Sequence, residues 1–238
     1  MFRLTIFLIS ILLHFNLFAF EEFKAGYGMY LSGIKVAEET RILKKDKTIY
    51  IYSSSAKTSD LGKLFGDKKI TSKSIINYGN EFIDLESFIS KETEKNKPDE
   101  NIRVAFKKHG KLIVSSQRNK QKSTETFELD LQPLDPLSST LILSENLKDG
   151  INFSEKKYLY ADGKKNRIIS IERIENLVMK FQEKDYKVIP LKFSNDQYSV
   201  VAFFAPSLKY VPINIDKQTK NKKFSYRLEK SRVLQIIF

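Results

Sequence analysis

Cysteine is absent from all 238 residues, and so is tryptophan. Lack of cysteine excludes a structural disulfide, a thiol nucleophile and a zinc–thiolate centre, and it leaves a bacterial lipoprotein no residue on which to carry its lipid. Histidine is almost as scarce. Of His14 and His109, only the second lies beyond the N-terminal segment described below, so a two-histidine metal site is excluded for the remaining chain. A Ser-His-Asp site would have to use His109, which sits between Lys108 and Gly110 where a hairpin tip is expected, the place of a turn residue. The nine glycines form no phosphate-cradling loop and the acids form no calcium loop. No cofactor is implied. Two Ser-x-x-Lys pairs, Ser54 with Lys57 and Ser154 with Lys157, have the spacing of a nucleophile and its base, but a chain so rich in both residue types yields such pairs by chance. No pair among the 29 acids stands out for glycosidic cleavage.

Long apolar runs are also missing after the first residues. Met1 to Ala19 carries one early cation, Arg3, then apolar residues ending at the small Ala19, the pattern of a secretory signal. The alternative is an uncleaved membrane anchor, although His14 and Asn16 interrupt the stretch. Residues 20–238 are then expected to form one exported β-rich domain in the periplasm. Net charge is +12, carried mostly by lysine, with 33 lysines and 8 arginines. Lysines scattered at hairpin ends read as a solvated surface, with contact to an anionic membrane surface as the specific alternative, and export argues against nucleic acid.

What is present is β pattern. Phe23, Ala25, Tyr27, Met29 and Leu31 alternate with polar or small residues, Gly33 turns the chain, and Ile34, Val36, Thr40 and Ile42 continue the two-residue period. Further strands are expected at 48–54, 70–78, 82–90, 102–106, 112–116, 153–160, 166–174, 177–181, 186–193, 198–204, 210–215, 224–228 and 233–238. Turns fall at Gly79-Asn80, His109-Gly110 and Asp162-Gly163, the last a strong hairpin signal because both residues tolerate positive φ. Lys91 to Asn101 reads as a long exposed turn, and Gln117 to Thr126 as a polar, mobile segment. Leu61, Leu64 and Phe65 suggest one helical turn.

One stretch, Leu131 to Gly150, bears a complete helix signature. Asp135 can cap the first free N–H groups, Pro136 suits the first turn, and Gly150 can take the left-handed conformation that ends a helix. The helix, expected over 136–148, carries Leu137, Leu141 and Ile142 as an apolar stripe. Asp135 reads as a cap before it reads as a ligand group. The fold expected is mainly β, a large curved antiparallel sheet or half-open barrel with one or two short helices packed on its concave face.

Several marks in order resemble a known family of exported bacterial proteins, domain of unknown function 3108: Tyr27-Gly-Met-Tyr-Leu-Ser-Gly33, Asp135-Pro136-Leu137-Ser138-Ser139, Asp162-Gly163, and Phe204-Ala205-Pro206 followed by Tyr210-Val-Pro212. Phe204 stands where that family commonly has tryptophan. The resemblance implies export and a β-rich fold, and no activity.

Eighteen phenylalanines and eleven tyrosines either line an apolar pocket or fill the interior of the sheet. Phe203, Phe204, Leu208 and Tyr210 are the candidate pocket residues, in a corner stiffened by Pro206 and Pro212. Asp135, Pro136, Ser138, Asp162 and Gly163 are read as structural. The expected function is non-enzymatic binding or carriage of a lipid or other amphipathic envelope ligand. The alternatives are an envelope scaffold with a protein partner and, third, a hydrolase.

Overall fold

The computed structural model describes residues 20–78, 83–194 and 198–233, and among them are seventeen strands and one α-helix. The expected signal segment, the Gly79-Asn80 turn and all but the first residue of the last expected strand, 233–238, lie outside them. In chain order the strands are β1 (Phe23–Leu31), β2 (Ile34–Asp46), β3 (Ile49–Thr58), β4 (Lys68–Tyr78), β5 (Ile83–Glu94), β6 (Glu100–Lys108), β7 (Leu112–Arg118), β8 (Gln121–Phe127) and β9 (Gln132–Leu134). After the helix α1 (Ser139–Lys148) come β10 (Lys157–Ala161), β11 (Asn166–Ser170), β12 (Glu172–Arg173), β13 (Leu177–Phe181), β14 (Lys184–Ser194), β15 (Tyr198–Ala205), β16 (Val211–Thr219) and β17 (Lys223–Val233). Leu61, Leu64 and their neighbours give a single 3₁₀ turn, Gly62–Phe65.

Fourteen strands form one antiparallel sheet, in the order β12-β14-β15-β16-β17-β1-β2-β3-β4-β5-β6-β7-β8 with β13 also on β14. β1 and β17 pair near its middle, so the two ends of the described chain meet there, and the sheet does not close on itself. This is the large, open, curved antiparallel sheet that the alternation predicts. A second sheet, β11-β10-β9, contains a parallel pair, β9 with β10.

Four segments differ from the sequence reading. Lys91 to Asn101 is not one long turn, because β5 runs to Glu94 and β6 starts at Glu100. The charged residues there pair across strands, Lys68 with Glu92 and Glu94, and Lys91 with Asp99, so the hairpin continues past the apolar core into solvent. Gln117 to Thr126 is likewise paired, as the end of β7 and β8. β8 is an edge strand exposed at every residue except the half-buried Phe127, so nothing in its composition alternates. The region expected as strand 153–160 is strand only from Lys157, and 166–174 splits at the buried Ile171 into β11 and β12.

The helix entry is built by Asp135. Its Oδ1 accepts the Leu137 and Ser138 N–H groups, each at 2.7 Å, and its backbone carbonyl accepts Ser139 N at 3.1 Å. A turn through Pro136 to Ser138 thus leads into α1, whose regular part starts three residues later than expected. The exit has both bonds of a Schellman motif: Ile151 N donates to Asn146 O and Gly150 N to Leu147 O, with Gly150 at φ +67°.

Every residue from Thr140 to Leu147 is buried, so α1 is enclosed on all sides instead of showing the single stripe expected. The sheet wraps it, and its polar side chains find partners. Ser144 donates to the Tyr210 carbonyl at 2.7 Å, while Asn146 Nδ2 donates to Gln132 at 2.9 Å and to the Tyr158 hydroxyl at 3.1 Å. The main core gathers apolar side chains from Phe20 to Ile215 around this helix, and a smaller cluster of Ala25, Tyr27, Val188, Ala205, Ile213 and Leu228 lies beside it.

The Asp162 loop joins β10 to β11 and holds two N–H groups, of Lys164 and Lys165, on Asp162 Oδ1 at 2.8 Å each. Gly163 follows at φ +77°, and a Cβ there would lie 2.2 Å from Ile102 Cγ2. Ile102 is a stiff β-branched residue seated in the core. Gly163→Ala is therefore expected to lose about 2 kcal/mol through backbone strain and this clash, read as a lowered urea midpoint with unchanged slope.

Candidate functional site

A cavity of about 440 Å³ opens between the concave face of the sheet and α1. That is within the usual range for a small-molecule site. One wall comes from β14 to β17, where Leu191, Phe193, Val200 and Ile215 present apolar surface, and α1 contributes Thr140 and Leu143. The facing wall comes from β2 to β6 and is different in chemistry.

A bulge near the start of β2 decides that difference. The Ser32-Gly33 turn pairs Leu31 with Ile34 and Tyr30 with Lys35, but the register then shifts by one residue, so Met29 pairs with Ala37. From there Tyr27 faces Glu39 and Ala25 faces Arg41. A one-residue slip turns a strand's side chains to the opposite face. The residues of β2 that go inward are therefore Glu39, Arg41 and Leu43, all buried, while the alternating Val36, Thr40 and Ile42 take the other face.

Arg41 is 5% exposed and Glu39 8%. Arg41 Nη2 lies 2.9 Å from Glu39 Oε2, Nη1 reaches Thr140 Oγ1 at 3.5 Å, and the guanidinium stacks 4.8 Å over the Tyr27 ring. The Nε–H has no hydrogen-bond partner. Burial works most strongly against the Arg41 charge, but the Glu39 carboxylate, together with Tyr52 and Tyr27, outweighs it and raises the pKa well above the ordinary value. Burial also pushes the pKa of Tyr52, beside Arg41 and Thr140, upward. Glu39, Arg41 and Thr140 all line the cavity.

From Arg41 a row of serines crosses the sheet. Arg41 pairs with Ser54, Ser54 with Ser72, and Ser72 with Ser90, on four adjacent strands. All four side chains line the cavity, and the Ser72 and Ser90 hydroxyls are 3.0 Å apart. At the rim, acids and bases alternate: Glu92 with Lys68, Glu100 with Arg118 and Lys164, Asp162 with Arg167.

The residues singled out from sequence are distributed differently. Phe203 and Phe204 point to opposite faces, Phe204 fully buried in the main core and Phe203 against the smaller cluster. Leu208 borders a second, smaller cavity of about 170 Å³ between α1 and the corner at Pro206 and Pro212. Tyr210 packs on the main core and offers its carbonyl to Ser144. Pro206 opens a 3₁₀ turn, and the Pro212 carbonyl accepts the Tyr27 hydroxyl at 3.0 Å. Pro136 and Asp162 do line the large cavity, whereas Asp135 is wholly buried with its Oδ2 held by Ser74 at 2.8 Å. The row from Arg41 to Ser90 was not anticipated. Its one sequence mark is an arginine in a lysine-rich strand; the bulge that turns it inward leaves no local mark.

The pairs considered for catalysis do not assemble. Ser54 lines the cavity, but Lys57, three residues along the same strand, is exposed on the other face. Ser154 is exposed in a turn on Asn152, and His109 is exposed at its hairpin tip. Among the described residues no group of three or more His, Cys, Asp or Glu could hold a metal ion, and no helix is long and apolar enough to cross a membrane.

The family described as "Protein of unknown function (DUF3108)" matches residues 23–229. Among solved structures, the chain resembles a β-barrel-like protein of domain of unknown function DUF1849 from Brucella abortus, with a TM-score of 0.59 at 11% identity over 90% of this chain and 98% of that one. That likeness shows the fold alone. No curated protein matches the chain.

Proposed function

The chain belongs to the DUF3108 family of proteins of unknown function, and we propose that it is an exported, non-enzymatic carrier that holds the apolar part of an amphipathic envelope molecule between sheet and helix. The observation that supports this reading is the 440 Å³ cavity with one apolar wall and one hydroxyl-bearing wall, inside a sheet that is not closed. A core filled by its own side chains would have offered no such space. Phe20, the first residue after the expected cleavage, is buried edge-on against Tyr50 at 5.2 Å, so a mature chain beginning there would start anchored in the core.

Native mass spectrometry of the protein taken from its own periplasm, followed by organic extraction, tests the carrier. The expected result is a stoichiometric lipid mass lost on delipidation, regained on incubation with the extract, and an N-terminus at Phe20. A protein that is empty as isolated and gains no mass from the extract would overturn it.

A second reading, an assembly partner acting through strand addition, draws on β8, whose outer edge pairs with no strand among the described residues. Crosslinking in cells from positions on β8 would return one protein partner if this is the working surface.

A further inference from the structure

The inner wall of the cavity says more about the cargo, on the premise that the carrier reading holds. We propose that the head of the bound amphipath is uncharged and rich in hydroxyl or ester oxygens, as in an acylglycerol, and that a carboxylate or phosphate head is disfavoured at the same wall.

Charge decides between the two classes. Among the described residues Arg41 is the one buried cation in the cavity wall, and Glu39 at 2.9 Å already neutralises it. An anionic head brought to Arg41 would give two negative charges against one positive in a desolvated site, where each ion costs several kcal/mol unless paired. The rim offers little relief, since Lys68 and Lys164 are committed to Glu92 and Glu100. Of the remaining lysines that line the cavity, Lys192 pairs with Glu172 at 3.7 Å and Lys217 stacks over the Tyr198 ring at 4.5 Å, a contact that orients its charge without cancelling it.

A neutral oxygen meets no such opposition. It can accept an N–H of the Arg41 guanidinium, whose buried Nε has no hydrogen-bond partner, on a side chain only 5% exposed. Ser54, Ser72 and Ser90 then continue from Arg41 as a line of groups that both donate and accept, spaced by one strand each. Strands lie about 4.8 Å apart, so the line matches several adjacent oxygens and not a single charge. The acyl chain would lie on the apolar wall of Leu191, Phe193, Val200 and Ile215.

The test uses delipidated full-length mature protein and two probes with the same tail, monolauroylglycerol and laurate, titrated calorimetrically near pH 8, where laurate is ionised. Wild-type protein is expected to bind the glyceride at least about tenfold more tightly. The variant Glu39→Gln leaves Arg41 without its counter-charge, and its affinity for laurate should rise at least about tenfold, narrowing or reversing the preference. Laurate bound as tightly as the glyceride by wild type would overturn the proposal while leaving the carrier reading standing. If neither probe binds, both fall. The wild-type ratio decides even if Glu39→Gln fails to fold.

Discussion

Replacing Asp135 by alanine is expected to destabilise the protein by roughly 3–4 kcal/mol, because three buried donors lose their acceptor at once and each orphaned group costs about 1–3 kcal/mol before relaxation. The donors are the Leu137 and Ser138 N–H groups and the Ser74 hydroxyl. Ser74 sits on β4, so the same carboxyl that starts the helix also ties it to the sheet. Asparagine should behave in the opposite way. Its oxygen can keep both backbone N–H groups, its amide can donate to Ser74, and it carries no charge into a site that is 0% exposed. Burial pushes the Asp135 pKa from 3.8 up to about 6, against the pull of its hydrogen bonds. Between those two values the folded protein holds a proton that the unfolded chain has released, so wild-type stability falls as pH rises from about 4 through about 6. A shift of about two pKa units corresponds to roughly 3 kcal/mol. Asp135→Asn should lose that slope, matching wild type near pH 4 and exceeding it near pH 8. Urea unfolding of the two variants and wild type at both pH values checks this. An asparagine variant that is less stable than wild type at the higher pH would show that the charged carboxylate is the form the fold requires.

The fate of Asp135 and Arg41 shows where the sequence could be read and where it could not. Asp135, Pro136 and Gly150 act through local backbone rules, so the helix and its ends were legible from a twenty-residue window, and the same holds for Asp162-Gly163. Most strands were legible because one face alternates. β8 was not, because both of its faces meet water, and the hairpin ends beyond Ser90 were not, because cross-strand ion pairs look like turn composition. The site escaped for a different reason. Its parity depends on the one-residue bulge opposite Met29 and Tyr30, without which Thr40 and not Arg41 would face Ala25. No local residue pattern announced that shift. The cavity is assembled from β2 to β6 on one side and β14 to β17 on the other, strands brought face to face by the curl of the sheet, a relation that no short window contains. Aromatic clustering pointed instead to Phe203 and Phe204, which alternation places on opposite faces, one of them in the packed core.

The Arg41–Glu39 pair should reveal itself as a coupled unit. Arg41→Met is expected to cost about 3–5 kcal/mol, the usual penalty for removing one member of a buried ion pair, since Glu39 would be left as a lone charge in the cavity wall. Loss of the stacking on Tyr27 adds to this. Glu39→Leu should be of similar size, for the mirror reason. The double variant Arg41→Met with Glu39→Leu should recover most of the loss, because two apolar side chains of comparable length bury no charge. Denaturant unfolding of the four proteins gives the coupling energy directly, and losses that simply add would mean that water already screens the pair. The double variant also separates stability from binding. With the sheet intact and the Arg41 position apolar, the cavity would still take a hydrocarbon tail but would have lost its innermost donor, so discrimination between heads should weaken while affinity for the tail persists. A pair kept at no gain in stability, yet needed for choosing the head, would account for a buried arginine and glutamate in a wall that leucine and methionine could fill.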